Sequence, residues 1–357
     1  AVDPRFYRPA GTLYAKDIAG ELNGELTGNP VCEAVDVASA SEPLAGALVF
    51  VDGAKLPDAL AAHAGVVIGN AGALTDAVLH PRAAFIAVRH PKAAFAAIAG
   101  RIVAPRESAS GHAIHPSAVI APDAVICAGA SIGEGAHIGA NCHIGPNAVI
   151  GTGVEIGEGT RVSACAVVGF AVIGRNCRIG PGSVIGEAGF GLAPGPAGLV
   201  ELPHYGRVIV GDDVRVGANC TIDRGMFGDT RLRDGVKLDN LCHIAHNVDV
   251  GEHTLMAAFA GVSGSVKIGR GAQFGGRVGV VDHVTIGDGV RLAANASPAG
   301  NVPPGETWAG QPAQPIRGWL RELAILKRLA APKGRSGGRD GNRDDDKPVD
   351  SPADDMG

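Results

Sequence analysis

From Ile114 onward an aliphatic residue returns at every sixth position, as IHPSAV, IAPDAV, ICAGAS, IGEGAH and so on through ten consecutive hexads, the last one residue short. Three more begin at Ile173, Ile179 and Ile185, three at Val210, Val216 and Ile222, and eleven run from Leu232 to Leu292. Of these 27 hexads, 25 start with Ile, Leu or Val; Met256 and Phe274 are the exceptions. A period of six fits neither the roughly 3.6 of a helix nor the 2 of a simple strand. It fits a parallel β-helix, in which short strands and tight turns wind into a solenoid. The aliphatic first position and the small fifth position (Ala124, Ala130, Ala136, Cys142, Ala148) face inward, and Gly or a short polar residue takes the corners. Three hexads make one coil of about 18 residues, so residues 18 apart sit one above the other, and nine coils at the ~4.8 Å strand spacing give a prism roughly 40 Å long.

The pattern fails at both ends and twice in the middle. Residues 1–105 mix helix-like and strand-like pieces (YAKDIAGELNGELTG, GALVFVDGAKLPDALAAHAGVVIG, HPKAAFAAIAGRI) and predict a small α/β domain that also caps the first coil. The solenoid domain follows, over 106–311. Within 312–332, Ile316, Leu320, Leu323, Leu326 and Leu329 form a helical stripe of the kind that packs against copies of itself. Residues 333–357 are Gly- and Asp-rich and predict disorder. After Ile185 the segment GEAGFGLAPGPAGLVELPHYGR must leave the prism as a loop, and a four-residue excursion interrupts RGMFGDTR.

Composition narrows the class. The chain is 46% hydrophobic but only 4% aromatic, so its core is a regular lattice of Ile, Val and Ala. A net charge of −5 gives no overall basic field for nucleic acid. No apolar run approaches the ~18 residues of a membrane span, and the start AVDPRFYRPAG lacks the regions of a signal peptide. Seven cysteines, with no CxxC pair, suit a reducing cytosol. Cys142, Cys177, Cys220 and Cys242 occupy the small fifth slot, which gives them a packing role.

The chemistry concentrates in LDNLCHIAHNVDVG, residues 238–251. His246 takes the third hexad position, at a corner, pointing away from the core. His243 points outward from another part of the coil, so the two should diverge rather than close on one metal; no metal and no cofactor is expected. Gly264 lies 18 residues after His246, hence one coil above, and His283 two coils up, displaced by one residue. The two imidazoles would flank a glycine on one edge, on the order of 10 Å apart. Small residues in MAAFAGVSGS and FGGRVGVV leave either a subunit contact or a groove for an extended apolar ligand. With Asp239, Asn240 and Asn247 nearby and a bare backbone N–H above, the corner reads as a functional site.

IGEAGFG (185–191), GRVIVGDDVRVGANCTIDRG (206–225), LDNLCHIAHNV (238–248) and SGSVKIG (263–269) together resemble the UDP-3-O-(3-hydroxyacyl)glucosamine N-acyltransferases of lipid A synthesis, over about residues 5–330. The resemblance implies a left-handed solenoid, a homotrimer with active sites between subunits, and an N-terminal uridine-recognising domain. It also implies transfer of a 3-hydroxyacyl group from acyl carrier protein to the 2-amino group of the UDP-sugar. It makes His246 the general base, Gly264 the oxyanion donor, and His283 an aid to binding or orientation, with Asp239 fixing the tautomer of His246 and Asn240 and Asn247 near the substrate. In the family's uracil-binding stretch this chain reads FVDGAKL, keeping Phe50 and Lys55 but carrying Gly53 and Leu56 where the family has Asn and Tyr. The competing readings are another hexapeptide acyltransferase (a UDP-GlcNAc O-acyltransferase or an acetyl-CoA-dependent acetyltransferase), a γ-carbonic anhydrase-like metalloprotein and a non-catalytic scaffold.

Overall fold

The computed structural model describes residues 2–53, 55–74, 78–106, 112–310 and 315–330. The chain divides into two compact units, Ala1–Gln311 and Pro312–Gly357. In the first, the hexads form a left-handed parallel β-helix with three faces of nine, ten and eight strands. The first-position residues pair in register along each face. Ile120, Ile138, Ile156, Ile173, Val210, Leu232, Val250, Ile268 and Ile286 stack on the first. On the third, Ile132, Ile150, Val168, Ile185, Ile222, Ile244, Val262 and Val280 do the same. On the second face Met256 and Phe274, the two exceptions to the aliphatic rule, stack on each other.

Second-position glycines follow from this stacking. A Cβ on Gly217 would lie 2.5 Å from the backbone of Asp239, one coil on, so any side chain there would push the coils apart. The fifth-position cysteines are buried, and burial pushes the Cys177 thiol up to about 11.

The N-terminal part carries a five-stranded sheet in the order Glu25–Gly28, Ala84–Ala87, Val66–Gly69, Ala47–Phe50, Asp36–Val37, with helices Ala15–Leu22 and Pro91–Ala99. Alternate strand residues serve two cores. Leu48, Val66, Ile68 and Ile86 join the core that continues into the solenoid, while Val49, Val67 and Phe85 pack with Leu56 and Leu60 on the other face.

This sheet and its helices do not cap the first coil. Ile114 is exposed and Ile120 and Ile126 are only partly buried. The contact is on the solenoid's flank, at the short tenth hexad and the two interruptions: Phe6 and Tyr7 pack on Phe170, Phe95 on Phe227, and Tyr7 on Tyr205, with ring centroids 5.3–5.9 Å apart. The six-residue repeat fills its first position with aliphatic residues, Phe274 being the one ring there, and the ring contacts with the N-terminal part gather where the lattice breaks. The long excursion becomes an antiparallel hairpin, Leu192–Gly195 with Gly198–Glu201, and its Gly195 abuts Ala93 of the second helix.

In the second unit a helix spans Ile316–Ala330 and buries none of its residues. The remainder of the expected 312–332 segment and the 333–357 tail lie outside the described residues. Among those described, no helix is long and apolar enough to cross a membrane.

Candidate active site

His246 stands at the corner between the third and first faces, just past the strand His243–Ile244. One coil up, the strand Gly261–Val262 carries the chain to Gly264. An added Cβ at Gly264 would lie 2.7 Å from Cε1 and 2.8 Å from Nε2 of His246, so only glycine lets the two coils share this corner with an imidazole. The ladder passes around Gly264. Its neighbour Ser265 donates to the His246 carbonyl (3.0 Å), and the Gly264 carbonyl accepts from His283 N–H (3.1 Å), but the Gly264 amide donates to no group among the described residues. A free N–H and an imidazole nitrogen therefore face one space, a cleft of about 650 Å³ that also reaches Asp223, His243, Phe190 and His283.

Asn247 decides which nitrogen of His246 is free. Its Nδ2 donates to the Phe227 carbonyl (2.6 Å), and its Oδ1 accepts from Met226 N–H (3.0 Å) and lies 3.2 Å from His246 Nδ1. An oxygen in that position accepts a hydrogen bond from a protonated Nδ1, which leaves the Nε2 lone pair turned toward Gly264. The hydrogen-bond network assigns this tautomer. Asn247 is thus a bracket between the short excursion and the base.

The structure brings His246, Gly264 and His283 together and separates Asp239 and Asn240 from them. Asp239 follows the second face, one corner away, and lines a different cavity with Lys237 and Gln273; its Oδ1 accepts from Asn240 N–H (2.8 Å). Asn240 accepts from Ala218 N–H (2.7 Å) and is part of that same corner. Asp239 therefore does not fix the tautomer of His246. His283, highly exposed, sits on the rim beside Asp282 at 3.9 Å. Phe50 is half-buried against Phe95 (5.1 Å), Lys55 is exposed, and Leu56 is buried in the smaller N-terminal core.

Three residues that the sequence reading left out complete the site. Asp223 lies one coil beneath Ala245 and is buried; burial pushes its carboxyl above the ordinary value, while His243 and His246 pull the other way. His243 does not diverge from His246: its Nε2 lies 3.8 Å from Asp223 Oδ2, and its Nδ1 is 2.7 Å from Thr221 Oγ1. The corner turns the two histidines toward a common carboxylate because they straddle it. The third is His204, from the long excursion, whose ring meets that of His246 edge to face at 5.4 Å. Among the described residues no three His, Cys, Asp or Glu converge as metal ligands.

A second cavity, about 680 Å³, lies between the N-terminal segment and the flank. Asp3, Arg207, Asp229 and Arg231 in its lining pair with one another, and Glu42 also lines it.

Two family models match the solenoid: "Bacterial transferase hexapeptide (six repeats)" over residues 135–170, and "Hexapeptide repeat of succinyl-transferase" over 207–248 and 265–297. The UDP-3-O-acylglucosamine N-acyltransferase of Caulobacter vibrioides is 43% identical over 94% of this chain and 99% of its own length. That of Maricaulis maris is 45% identical over 94% and 98%. Among solved structures, LpxA from Acinetobacter baumannii is 26% identical over 62% of this chain and 79% of its own, with a TM-score of 0.45.

Proposed function

The chain belongs to the UDP-3-O-acylglucosamine N-acyltransferase family, and from that membership we propose that it moves a 3-hydroxyacyl chain from acyl carrier protein to the 2-amino group of UDP-3-O-(3-hydroxyacyl)glucosamine. One observation carries the residue assignment: the unbonded amide of Gly264 stands over the free Nε2 of His246. The amine nitrogen attacks the thioester carbonyl carbon, forming the C–N bond, and the carbonyl electron pair moves onto oxygen. The Gly264 N–H donates to that oxyanion, and His246 Nε2 takes the proton the amine loses. Collapse of the intermediate breaks the C–S bond, and the imidazolium returns the proton to the departing carrier thiolate. Asp223, rather than Asp239, is the carboxylate placed to favour the imidazolium, as a buried acid beside an imidazole does elsewhere.

The remaining assignments rest on the family. Residues 1–105 recognise the uridine, with Phe50 and Lys55 as its contacts; residues 106–311 hold the chemistry; the helix within 312–332 packs against copies of itself in a homotrimer. His283 on the rim assists binding. The enzyme works in the cytoplasm, where acyl carrier protein is found, without a cofactor. The test is an acyl-transfer assay of the purified chain with UDP-3-O-acylglucosamine and 3-hydroxyacyl carrier proteins of several lengths. Absence of amide product with every donor would overturn the proposal, and stoichiometric bound zinc would move the chain to the metalloprotein reading.

A further inference from the structure

His204 is 4% exposed, yet its Nε2 has no hydrogen-bond partner among the described residues. Its Nδ1 lies 3.0 Å from the Leu202 carbonyl oxygen, which can only accept, so Nδ1 carries the proton and Nε2 is a bare lone pair. That lone pair is on the side of the ring that meets His246. A single point, the place of a Cβ on Gly189, is 2.8 Å from His204 Nε2 and 2.8 Å from both Cβ and Cδ2 of His246. Gly189 is the thin wall that lets the two rings approach.

Burying an unpaired acceptor costs free energy, and an apolar ring of the same shape would avoid that cost. We infer that His204 is a positioning residue for His246: a neutral imidazole, delivered by the long excursion, that sets the plane of the base's ring and turns a lone pair toward its carbon edge. An imidazole that gains a proton becomes more positive along its C–H edge, so a lone pair aimed there favours the imidazolium formed when the amine is deprotonated. Burial, and after it the neighbouring His246, pulls His204 down to about 4, so it stays neutral while His246 cycles. The charged and titratable groups around the pair are Arg224, which donates to the His204 carbonyl (3.1 Å) and the Gly186 carbonyl (2.8 Å), Tyr7, whose hydroxyl donates to the same His204 carbonyl (3.1 Å), Asp223 with His243 beyond it, and Glu187. None of them reaches Nε2 of His204.

The inference rests on His246 being the base, and its test separates the two. In His204→Phe the ring remains and the lone pair is gone. The variant should melt no lower than the parent, show kcat reduced between about ten- and a hundredfold at unchanged KM for UDP-3-O-acylglucosamine, and titrate the ¹⁵N-labelled His246 imidazole at lower pH. His204→Gln, which keeps an acceptor, should restore most of kcat and of the His246 titration. Full kcat and an unmoved titration in His204→Phe would overturn the inference, as would equal losses in both variants accompanied by lower melting temperatures. The His246 titration needs no turnover, so it still decides the matter if His246→Ala retains activity and the base assignment itself fails.

Discussion

A methyl group on Gly264 would touch both Cε1 and Nε2 of His246, at 2.7 and 2.8 Å. The backbone of Gly264 is outside the left-handed region, so alanine is conformationally acceptable there and the whole effect of the substitution falls on the imidazole. Gly264→Ala should therefore fold and assemble normally while kcat falls about a hundredfold, because the base is pushed off its line and the amide is shielded. Steady-state kinetics beside a thermal melt checks this. An undiminished kcat would mean that the oxyanion binds elsewhere.

The two aspartates of the sequence make a matched pair. Asp223 is buried within electrostatic reach of His246 and His243, and Asp239 lies one corner away with its carboxylate on a backbone amide. Asp223→Asn keeps the shape and removes the charge, and should lower kcat by about tenfold or more, since the imidazolium loses its counter-charge. Asp239→Asn should leave kcat near that of the parent. The reverse ranking in one assay would restore Asp239 to the mechanism.

Why the sequence pointed to Asp239, which this chain places one corner away from His246, is instructive. Gly264 above His246 was legible because the period between them is unbroken, and counting eighteen residues is enough. Asp239 and Asp223 both follow an aliphatic first-position residue, so the hexad alone cannot distinguish them. What separates them is the face: Leu238 lies on the second, Ile222 on the third beneath Ile244. The spacing there is 22 residues rather than 18, because the short excursion intervenes. His204 was beyond reach for the same reason: it sits in a loop with no period, placed by its hairpin and by Tyr7, whose hydroxyl donates to the His204 and Gly206 carbonyls at 3.1 and 2.9 Å. The solenoid could be read from repetition; the site also depends on the two places where repetition stops.

His204 also gives the fold an acid sensitivity. Burial and the neighbouring His246 lower it from 6.5 to about 4. Between those values the unfolded chain holds a proton that the folded chain refuses, so stability falls as pH drops below 6.5 and this loss levels off near 4. The slope is about 1.4 kcal/mol per pH unit, or about 3 kcal/mol across the window. His204→Gln cannot bind that proton. Urea unfolding at pH 7, 5.5 and 4 should show the variant losing less stability than the parent, by about that amount. Parallel pH curves for the two proteins would show that the ring takes up its proton when folded.

The N-terminal segment is fastened to the flank by a carboxylate between two guanidiniums, and this clamp should be measurable. Asp3 pairs with Arg5 at 2.6 Å and with Arg207, which in turn holds Asp229 at 2.9 Å. Burial works to raise the Asp3 carboxyl, but its hydrogen bonds to Arg5 and Arg207 outweigh it and hold the group at about 2, against an ordinary 3.8. A carboxyl lowered on folding stabilises the fold above its ordinary value, and that contribution disappears as pH falls toward 2. At neutral pH it amounts to about 2 kcal/mol. Asp3→Asn should lose roughly that much stability at pH 7 and progressively less under strong acid. Because Arg207 and Gly206 adjoin Tyr205 and His204, the same variant should speed amide exchange over residues 205–207 ahead of the solenoid strands. Uniform acceleration throughout the chain would mean that the clamp secures the whole fold, whereas a change confined to 205–207 would identify it as the tie that holds the excursion against the base.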